Sequence, residues 1–375
     1  MKRTATTILL LTVVASLWAQ DLKPFGMVNY VEGTVTVIRA GKPLKEALNI
    51  GDDVFPDDML KTTADSYVVI DLAKTTGMAG TLTIKPKSVV YLRLSPDATS
   101  PKSTIELISG QIGSKLAKIS GSPTFKVTTD GAVMGVRGTG FTVATSVSGG
   151  ILVVCSEGAV TAEDESGAIA VPAGKAAEKR PAERLRLMPV SVSSPEEFEK
   201  RWIAEAIEAF RADPARALAD YEKRYADLSA RFAAAFDPIQ KSEILSKWLK
   251  EDASGTAINP RSPEVMREKK ELAGAILEVR KVLFIFERIY YRILQLQDIV
   301  AGTPAERIEI RKGLTVGDFL RKVKSEAAVL ERRVNLFRQA ERLYALRNAD
   351  GTGFSGLGGS GGEDDFFGSS GDWDF

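Results

Sequence analysis

The chain has 375 residues, with 50 Lys and Arg against 49 Asp and Glu and therefore a formal net charge of +1. Hydrophobic residues make up 44% and charged residues 26% of the sequence, values typical of a soluble globular protein of two or three domains. The sequence contains no histidine and a single cysteine, Cys155. These counts exclude Ser-His-Asp and Cys-His catalytic sites, the common His/Cys zinc sites and a disulfide within the chain. The balanced charge gives no reason to expect a nucleic-acid partner.

The first 20 residues have the features of a secretory signal peptide. Two basic residues precede an apolar stretch from about Ile8 to Trp18, and the small residue Ala19 precedes the expected cleavage point. The apolar stretch is shorter than the roughly 20 residues that span a bilayer. We therefore expect residues 1–20 to be cleaved and the mature protein to be periplasmic, with an uncleaved membrane anchor as the alternative.

Residues 25–180 are a succession of short Val-, Ile- and Thr-rich runs separated by Gly, Pro, Asp and Ser. Short runs at this spacing, with turn residues between them, predict an all-β domain. The predicted strands are 27–31, 34–39, 67–72, 81–84, 89–94, 104–108, 125–128, 141–145, 151–155 and 159–163. Hairpin tips are predicted at 41–43, 148–150 and 166–167, where glycine is available for the turn.

Three short segments of this β region resemble one another. Segment 31–36 recurs at 156–161 and, more loosely, at 108–112. Each places a glycine between two apolar strands, where a left-handed turn or a bulge forms most easily. The similarity favours a solenoid-like stack of short strands, although it is too irregular for a true repeat protein.

After residue 180 the chain changes character. Residues 181–194 are predicted to be a linker, and residues 195–348 an α-helical domain, because the hydrophobic period becomes helical. Ser194 and Glu197 form a capping box around a proline at the first helical position. Further helices are predicted to begin at Asp213-Pro214, Asp237-Pro238 and Ser262-Pro263.

The two longest predicted helices, about 263–300 and 316–347, carry apolar residues at spacings of four and three. This is the seam of a coiled-coil-like pair, and the short connection between the helices predicts an antiparallel hairpin. Additional apolar residues, including Phe284, Ile285 and Ile289, widen the stripe beyond a two-helix seam. We expect this surplus to pack on the earlier helices or on a second copy of the protein.

Residues 349–375 form a Gly/Ser-rich tail with acids but no Lys or Arg. Its composition predicts a disordered segment, because it cannot bury enough apolar surface to order itself. Aromatic residues among the acids give it the form of a short docking peptide for another protein, with an unselected solvated tail as the alternative. The predicted partner-binding residues are Phe366, Phe367, Trp373 and Phe375.

Residues 125–143 carry the most specific motif. A strand and a Thr-containing turn are followed by Val136-Arg137-Gly138-Thr139, one further residue and Phe141. This segment resembles the signature of the FecR-type periplasmic domain family, and the segments at 50–62, 153–160 and 171–176 resemble its other elements. The resemblance covers roughly residues 26–180.

The resemblance implies a FecR-like β domain whose ligand- or structure-determining motif is Arg137, Gly138, Thr139 and Phe141. Arg137 is interpreted as a structural fork on strand carbonyls or a carboxylate, with a ligand-binding guanidinium as the alternative. Members of the family that regulate sigma factors carry a cytoplasmic region and a membrane span before this domain, and we expect neither here. The resemblance therefore implies an exported domain detached from transmembrane signalling.

Three other groups are candidate sites. Glu32 and Glu157 occupy equivalent turn positions and would serve as a carboxylate pair for acid–base chemistry, although solvated turn residues are favoured. Asp52, Asp53, Asp57 and Asp58 offer oxygen ligands for calcium, although their spacing matches no EF-hand loop. Cys155 lies in an apolar run, which indicates a buried inert thiol.

These observations predict a multidomain protein, all-β and then all-α, without cofactor or metal. The predicted function is an exported, non-enzymatic binding or scaffold protein of the cell envelope that binds an envelope or periplasmic protein. A homo-oligomer through the helical domain is a further expectation, and any contact with the membrane is expected to be indirect. The alternatives are a periplasmic sensor component of a signalling system and, less favoured, a carboxylate-dependent glycan hydrolase.

Overall fold

The computed structural model describes residues 23–95, 102–117, 124–136, 138–190 and 194–348. Arg137, the tail and the predicted signal peptide lie outside the described residues. The described residues up to 190 form eighteen strands. In chain order these are β1 Gly26–Glu32, β2 Val35–Arg39, β3 Lys42–Pro43, β4 Asp53–Val54, β5 Met59–Thr62, β6 Tyr67–Leu72, β7 Gly80–Ile84, β8 Val89–Ser95, β9 Lys102–Ser109, β10 Gln111–Leu116, β11 Thr124–Thr128, β12 Val133–Val136, β13 Gly140–Thr145, β14 Ile151–Glu157, β15 Ala159–Asp164, β16 Gly167–Pro172, β17 Lys175–Lys179 and β18 Arg186–Pro189.

The strands form two nine-stranded sheets that enclose a common core. Sheet I has the order β18-β17-β14-β13-β10-β7-β6-β1-β4, and sheet II has the order β16-β15-β12-β11-β9-β8-β5-β2-β3. Neighbouring strands are antiparallel except for β9 and β11, which are parallel. Alternate residues such as Val68, Ile70 and Leu82 are fully buried between the sheets, as the period-two pattern requires.

The three similar segments mark places where the chain passes from one sheet to the other. Gly33 joins β1 to β2, Gly110 joins β9 to β10, and Gly158 joins β14 to β15, and each crossing changes sheet. Their φ angles are 67°, 93° and 73°, in the left-handed region that favours glycine. The tight turns expected at these glycines are confirmed.

The second half of the chain forms five α-helices. They are α1 Pro195–Ala212, α2 Pro214–Gln240, α3 Glu243–Ser254, α4 Pro263–Val300 and α5 Val316–Ala345. The predicted caps at Ser194, Asp213 and Ser262 are confirmed, because each side chain accepts a hydrogen bond from the backbone amide three residues on. A short hairpin of two strands, β19 Glu309–Arg311 and β20 Leu314–Thr315, precedes α5.

One predicted helix start is wrong. Asp237-Pro238 does not begin a helix, because α2 continues through Pro238 to Gln240. Pro238 cannot donate a backbone hydrogen bond to the preceding turn, but α2 remains helical through it and ends two residues later. The next helix begins instead at Glu243, where Ser242 accepts a hydrogen bond from the Leu245 amide at 3.1 Å.

The helices pack on the outer faces of both sheets. Phe198 of α1 lies in a small cluster with Leu152 and Val154 of sheet I. On the other side, Met59 and Tyr91 of sheet II belong to the same hydrophobic cluster as the cores of α2, α4 and α5. The β region and the helices are therefore in direct apolar contact.

Helix α4 is buried by several neighbours at once. It packs along α2 and also contacts α5 and β9. The extra apolar residues Ile285 and Ile289 belong to or pack against this shared cluster, which explains why the stripe is wider than a two-helix seam. The coiled-coil geometry predicted for α4 and α5 remains a prediction.

Part of the predicted linker is a strand. Residues 186–189 form β18, which pairs with β17 at the edge of sheet I. Among the described residues, no helix is both long enough and apolar enough to cross a membrane.

Candidate functional site

The first half of the signature segment folds as a hairpin of β11 and β12 in sheet II. Residues 129–132 connect the two strands and are called the signature turn. The Thr129 amide donates to the Ala132 carbonyl at 2.9 Å, and the Thr129 hydroxyl accepts a hydrogen bond from the Ala132 amide at 3.1 Å. The buried threonine thus closes the turn from within. Asp130, at the tip of this turn, is presented toward the helices.

Asp130 is held by an arginine from helix α4. The Arg292 Nη2 atom lies 3.0 Å from Asp130 Oδ2, and the Arg292 side chain is only 4% exposed. Tyr221 of α2 lies beside this pair and donates from its hydroxyl to the Val147 carbonyl at 3.1 Å. The signature turn, the β13–β14 turn and two helices therefore meet at one point.

The charges at this point favour the ionised pair. Burial alone would raise the pKa of Asp130, but Arg292 and Arg288 hold that pKa below its ordinary value. The neighbouring Asp130 likewise raises the pKa of Arg292, against the effect of burial. The Arg292 side chain is almost fully buried and the Asp130 side chain is 25% exposed, and a hydrogen bond between two charged groups is stronger than one between neutral groups. Asp130 and Arg292 are thus a fixed attachment of α4 to the signature turn.

The structure places the predicted motif residues inside the domain. Gly138 has a φ of 64°, and its carbonyl faces Gly158, where a Cβ atom would lie only 2.8 Å away. Thr139 and Phe141 are each 2% exposed, and Phe141 belongs to the core between the sheets. Arg137 and the four tail aromatics lie outside the described residues. The described part of the motif therefore shapes the sandwich and presents no side chain to solvent for a ligand.

A second group of charges lies between sheet II and the helices. We call Arg93, Glu106, Glu287, Arg338 and Glu341 the interdomain cluster. Arg93 Nε lies 2.9 Å from Glu106 Oε1, and Arg93 Nη2 lies 3.7 Å from Glu341 Oε2. Arg338 donates to Glu341 at 3.1 Å and also to Glu287. Two strand residues and three helix residues are therefore joined in one ionic network.

Tyr91 forms an aromatic base for this cluster. The guanidinium carbon of Arg93 lies 4.4 Å from the centre of the Tyr91 ring, and that of Arg338 lies 4.5 Å from it. Both distances are within the range of cation–π attraction. One ring on sheet II thus contacts an arginine from its own sheet and an arginine from α5.

The acids of the cluster respond differently to their surroundings. Burial would raise the pKa of Glu106, but Arg93 and Arg338 lower it to about 2. Arg93 and Arg338 likewise lower the pKa of Glu341 against the effect of burial. Burial raises the pKa of Glu287, although Arg338 opposes this. Glu106 of the strand is therefore firmly ionised. Glu287 of α4 is the glutamate of the cluster whose ionised form is least favoured.

Arg288 of α4 is the most deeply buried cation beside the cluster. It is 1% exposed, and its guanidinium carbon lies 3.8 Å from the centre of the Phe284 ring. Its Nη1 atom donates to the Phe284 carbonyl at 2.6 Å, whereas Nε and Nη2 have no hydrogen-bond partner among the described residues. Burial lowers the pKa of Arg288. Such a residue favours one arrangement of the helix on the sheet more than it adds stability.

The carboxylates considered from the sequence do not form a pair. Glu32 lies on β1 and Glu157 on β14, and both are exposed. Five strand spacings separate β1 from β14 in sheet I, or about 24 Å across the sheet. Glycosidase carboxylates lie about 5 to 10 Å apart. These two glutamates therefore cannot act together on one glycosidic bond.

The remaining candidates have structural partners. Asp58 is fully buried, receives two hydrogen bonds from Arg39 at 2.8 and 2.9 Å and accepts the Phe55 amide at 2.8 Å. Cys155 is buried, and burial raises the pKa of its thiol. Among the described residues, no group of His, Cys, Asp and Glu side chains is arranged to hold a metal ion.

Sequence reasoning missed the charged contacts between the two halves of the chain. The only signal was positional: Glu341 occupies a place in the apolar series of α5, and Glu106 alternates with the buried residues Ile105 and Leu107. A charged residue at such a position is expected to need a buried partner. The sequence does not show that the partner lies in the other half of the chain.

Comparison with known proteins agrees with this description of the β region. Residues 58–161 match the model of the family described as FecR protein, which confirms the FecR-type domain expected from the signature. Two crystal structures of a "putative anti-sigma factor" from Parabacteroides distasonis ATCC 8503 are similar, each with 14% identity and a TM-score of 0.29. The match covers 35% of this chain and 59% of that one. No curated protein sequence matches the chain.

The family match begins beside β5 and ends within β15. It includes the signature turn, Arg93 and Glu106, and it leaves all five helices outside. Residues 58–161 thus match the FecR family, and a separate set of helices packs on this β region through apolar and charged contacts.

Proposed function

We propose that this protein is an exported, non-enzymatic binding protein of the cell envelope that acts in signalling by holding another protein. The observation that carries the proposal is the contact between Asp130 of the signature turn and Arg292 of α4. It joins the β region, of which residues 58–161 match the FecR family model, to the helical domain. A partner that binds to either half and shifts this contact would then also alter the other half.

The position of the motif supports a scaffold more than a small-ligand receptor. The described motif residues are buried, and the signature turn is occupied by the protein's own helix. Among the described residues, the surfaces left for a partner are the outer surfaces of the helices and the part of sheet I that α1 does not cover. The tail, which lies outside the described residues, is the other proposed binding segment. A partner on these surfaces would be a protein, because a flat sheet or a helix face offers area but no enclosed volume.

A second candidate is the sensor component of a signalling system. The interdomain cluster favours this reading, because it joins strand residues Arg93 and Glu106 directly to Glu341 of α5. A ligand that shifts β8 and β9 would change these contacts and so alter the helices. The two candidates make different predictions. A scaffold binds its partner equally well in all states of the β domain, whereas a sensor binds its partner with an affinity that depends on that state.

The partner is best sought by crosslinking in the cell. A photoreactive amino acid replaces Phe367 or Trp373 in the tail, and replaces Phe354 as the matched control in the same tail. The proposal expects one protein to be crosslinked from the acidic aromatic end but not from position 354. Cell fractionation and N-terminal sequencing of the same samples test export, with a mature terminus near Gln20 or Asp21 as the expected result.

Two results would contradict parts of this proposal. Equal crosslinking from Phe354 and Trp373 would mean that the tail has no docking residues. A full-length chain recovered from the cytoplasm with its first residues intact would contradict export and would leave the tail result unaffected.

A further inference from the structure

The outer face of sheet I is covered only in part. Helix α1 lies over β14 and its neighbours, where Phe198 packs with Ala144 of β13 and Glu199 pairs with Lys85 at the end of β7. Among the described residues, nothing covers the rest of the outward surface of β13, β10, β7, β6 and β1, which we call the open face. The pairing of these strands places its outward residues in two rows. One row is Thr142, Gly113, Thr83, Val69 and Tyr30, and the other is Gly140, Lys115, Thr81, Asp71 and Met27.

The two halves of the open face differ in height. On the β1 side, Met27 and Tyr30 are large apolar or aromatic residues that are 47% and 45% exposed. On the opposite side, Gly113 carries no side chain, and a Cβ atom added there would lie at ordinary contact distances of 3.6 Å from Thr142 and 3.8 Å from Thr83. Gly140 offers no such space, because an added Cβ atom would lie 2.6 Å from the Ser156 hydroxyl. The face is therefore raised at Met27 and Tyr30 and low at Gly113.

The open face carries a positive charge on one side of β7 and a negative charge on the other. Lys115 is exposed on β10, on one side of the central strand β7. Asp71 lies on β6, on the other side of β7, and accepts a hydrogen bond from Asn29 at 2.7 Å. Both residues pair in register with Thr81, so they are symmetrically placed about β7.

The geometry points to a second copy of this chain as the occupant of the open face, related by a two-fold axis parallel to β7. Such an axis places each strand of one copy over its counterpart on the other side of β7. Lys115 then faces Asp71 of the second copy, and the reverse contact follows by symmetry. Gly113 faces Val69 of the second copy, so the residue without a side chain meets a larger one. The same two-fold axis therefore brings opposite charges together and brings the low part of one face over a raised part of the other.

The size of the face sets the strength of the association. Five strands span about 19 Å at the usual spacing, and two outward rows add less than half of that in the other direction. This is below the area of a standard stable interface. We therefore expect a weak dimer that forms in the micromolar range and depends on protein concentration.

The test is sedimentation velocity of the mature chain, residues 21–375, at about 1 to 100 µM. The expected result is a monomer that becomes a dimer as the concentration rises. Lys115→Glu and Asp71→Lys should each raise the dissociation constant at least about tenfold, because every reversal places like charges together twice per dimer. The two reversals in one chain should restore the association, because the charges are then exchanged and again opposite.

Gly113→Val tests the shape of the face independently of charge. Its Cβ atom makes only ordinary contacts with Thr142 and Thr83 within the monomer, and its side chain fills the space that Val69 of the second copy needs, so we expect at least a tenfold weaker dimer. Gly135→Val on sheet II and Lys250→Glu on α3 are the matched controls and should leave the association unchanged. Circular dichroism of each variant checks that the monomer is folded.

Two outcomes would overturn the inference. A chain that stays monomeric throughout this concentration range has no dimer on this face. A dimer that all three face variants leave intact must use another surface, such as the helices. Neither outcome affects the proposed export or the binding of another protein through the tail, because the crosslinking experiment measures those directly.

Discussion

Replacing Arg292 by methionine should destabilise the protein far more than replacing an exposed arginine that makes an ion pair of similar length. The Arg292 side chain is 4% exposed, and its partner Asp130 is 25% exposed. Methionine keeps most of the volume of arginine and leaves the Asp130 carboxylate without its main partner. Removing one partner of a buried ion pair costs about 3 to 5 kcal/mol. Because Asp130 keeps some solvent and the nearby charge of Arg288, we expect a value of about 3 kcal/mol.

The assay is equilibrium unfolding in urea at pH 7. Arg311→Met is the matched control, because Arg311 lies 3.1 Å from Glu222 but is 62% exposed, so its loss should cost less than about 1 kcal/mol. Asp130→Asn and the double variant complete a double-mutant cycle, with an expected coupling of about 2 kcal/mol. If Arg292→Met and Arg311→Met lower the free energy of unfolding equally, the signature turn is not fixed to α4 in the way described.

Three further variants test separate parts of the structure. Glu106 has a folded pKa of about 2 against an ordinary 4.5, so its contribution is present above pH 4.5 and is lost as the pH falls toward 2. Glu106→Gln should therefore lower the free energy of unfolding by roughly 2 to 3 kcal/mol at pH 7 and make that free energy depend less on pH below 4.5. An unchanged pH dependence would contradict the low pKa of Glu106. Gly33→Ala should destabilise the sandwich by about 1 to 3 kcal/mol more than Gly174→Ala. Both glycines have positive φ, but only at Gly33 would a Cβ atom meet a backbone carbonyl, at 2.4 Å, so equal losses in thermal unfolding would argue against the tight sheet crossing. Ser242→Ala should cost about 1 kcal/mol by removing the cap of α3, and no measurable change would mean that the helix begins elsewhere.

Local sequence signals predicted the elements and several of their ends. Ser194 and Ser262 cap helices because a side-chain oxygen three residues before an amide is a local arrangement that the sequence shows directly. Gly33 and Gly158 mark sharp turns for the same reason, since left-handed backbone is a property of one residue. Pro238 suggested a helix start because proline favours the first helical position, but it lies inside the last turn of α2, and the next helix begins at the Ser242 cap.

The candidate site could not be assembled from the sequence. Asp130 and Arg292 are 162 residues apart, and neither stands out from the other charged residues of the chain. Arg338 lies on a helix with many solvated charges, so its burial follows from the sheet that covers it and not from its own spacing. The signature identified the family of the β domain, but the side chains of its described motif residues proved to be buried, and its contact with the helices lies at its turn. The local indications of a buried partner were the position of Glu341 in an apolar series and that of Glu106 between two buried strand residues.

The central claim is that the FecR-type domain and the helices are joined as one unit through these contacts. Hydrogen exchange with mass spectrometry tests it most directly, using Phe232→Ala. Phe232 is fully buried in α2 among helical residues such as Phe236 and Phe286, so its loss should destabilise the helices by about 3 to 5 kcal/mol. If the two halves are one unit, the amides of β8 and β9 will exchange faster to a similar extent as those of α2. If those strands keep their full protection while the helices lose theirs, the two halves are energetically independent and the claim is wrong.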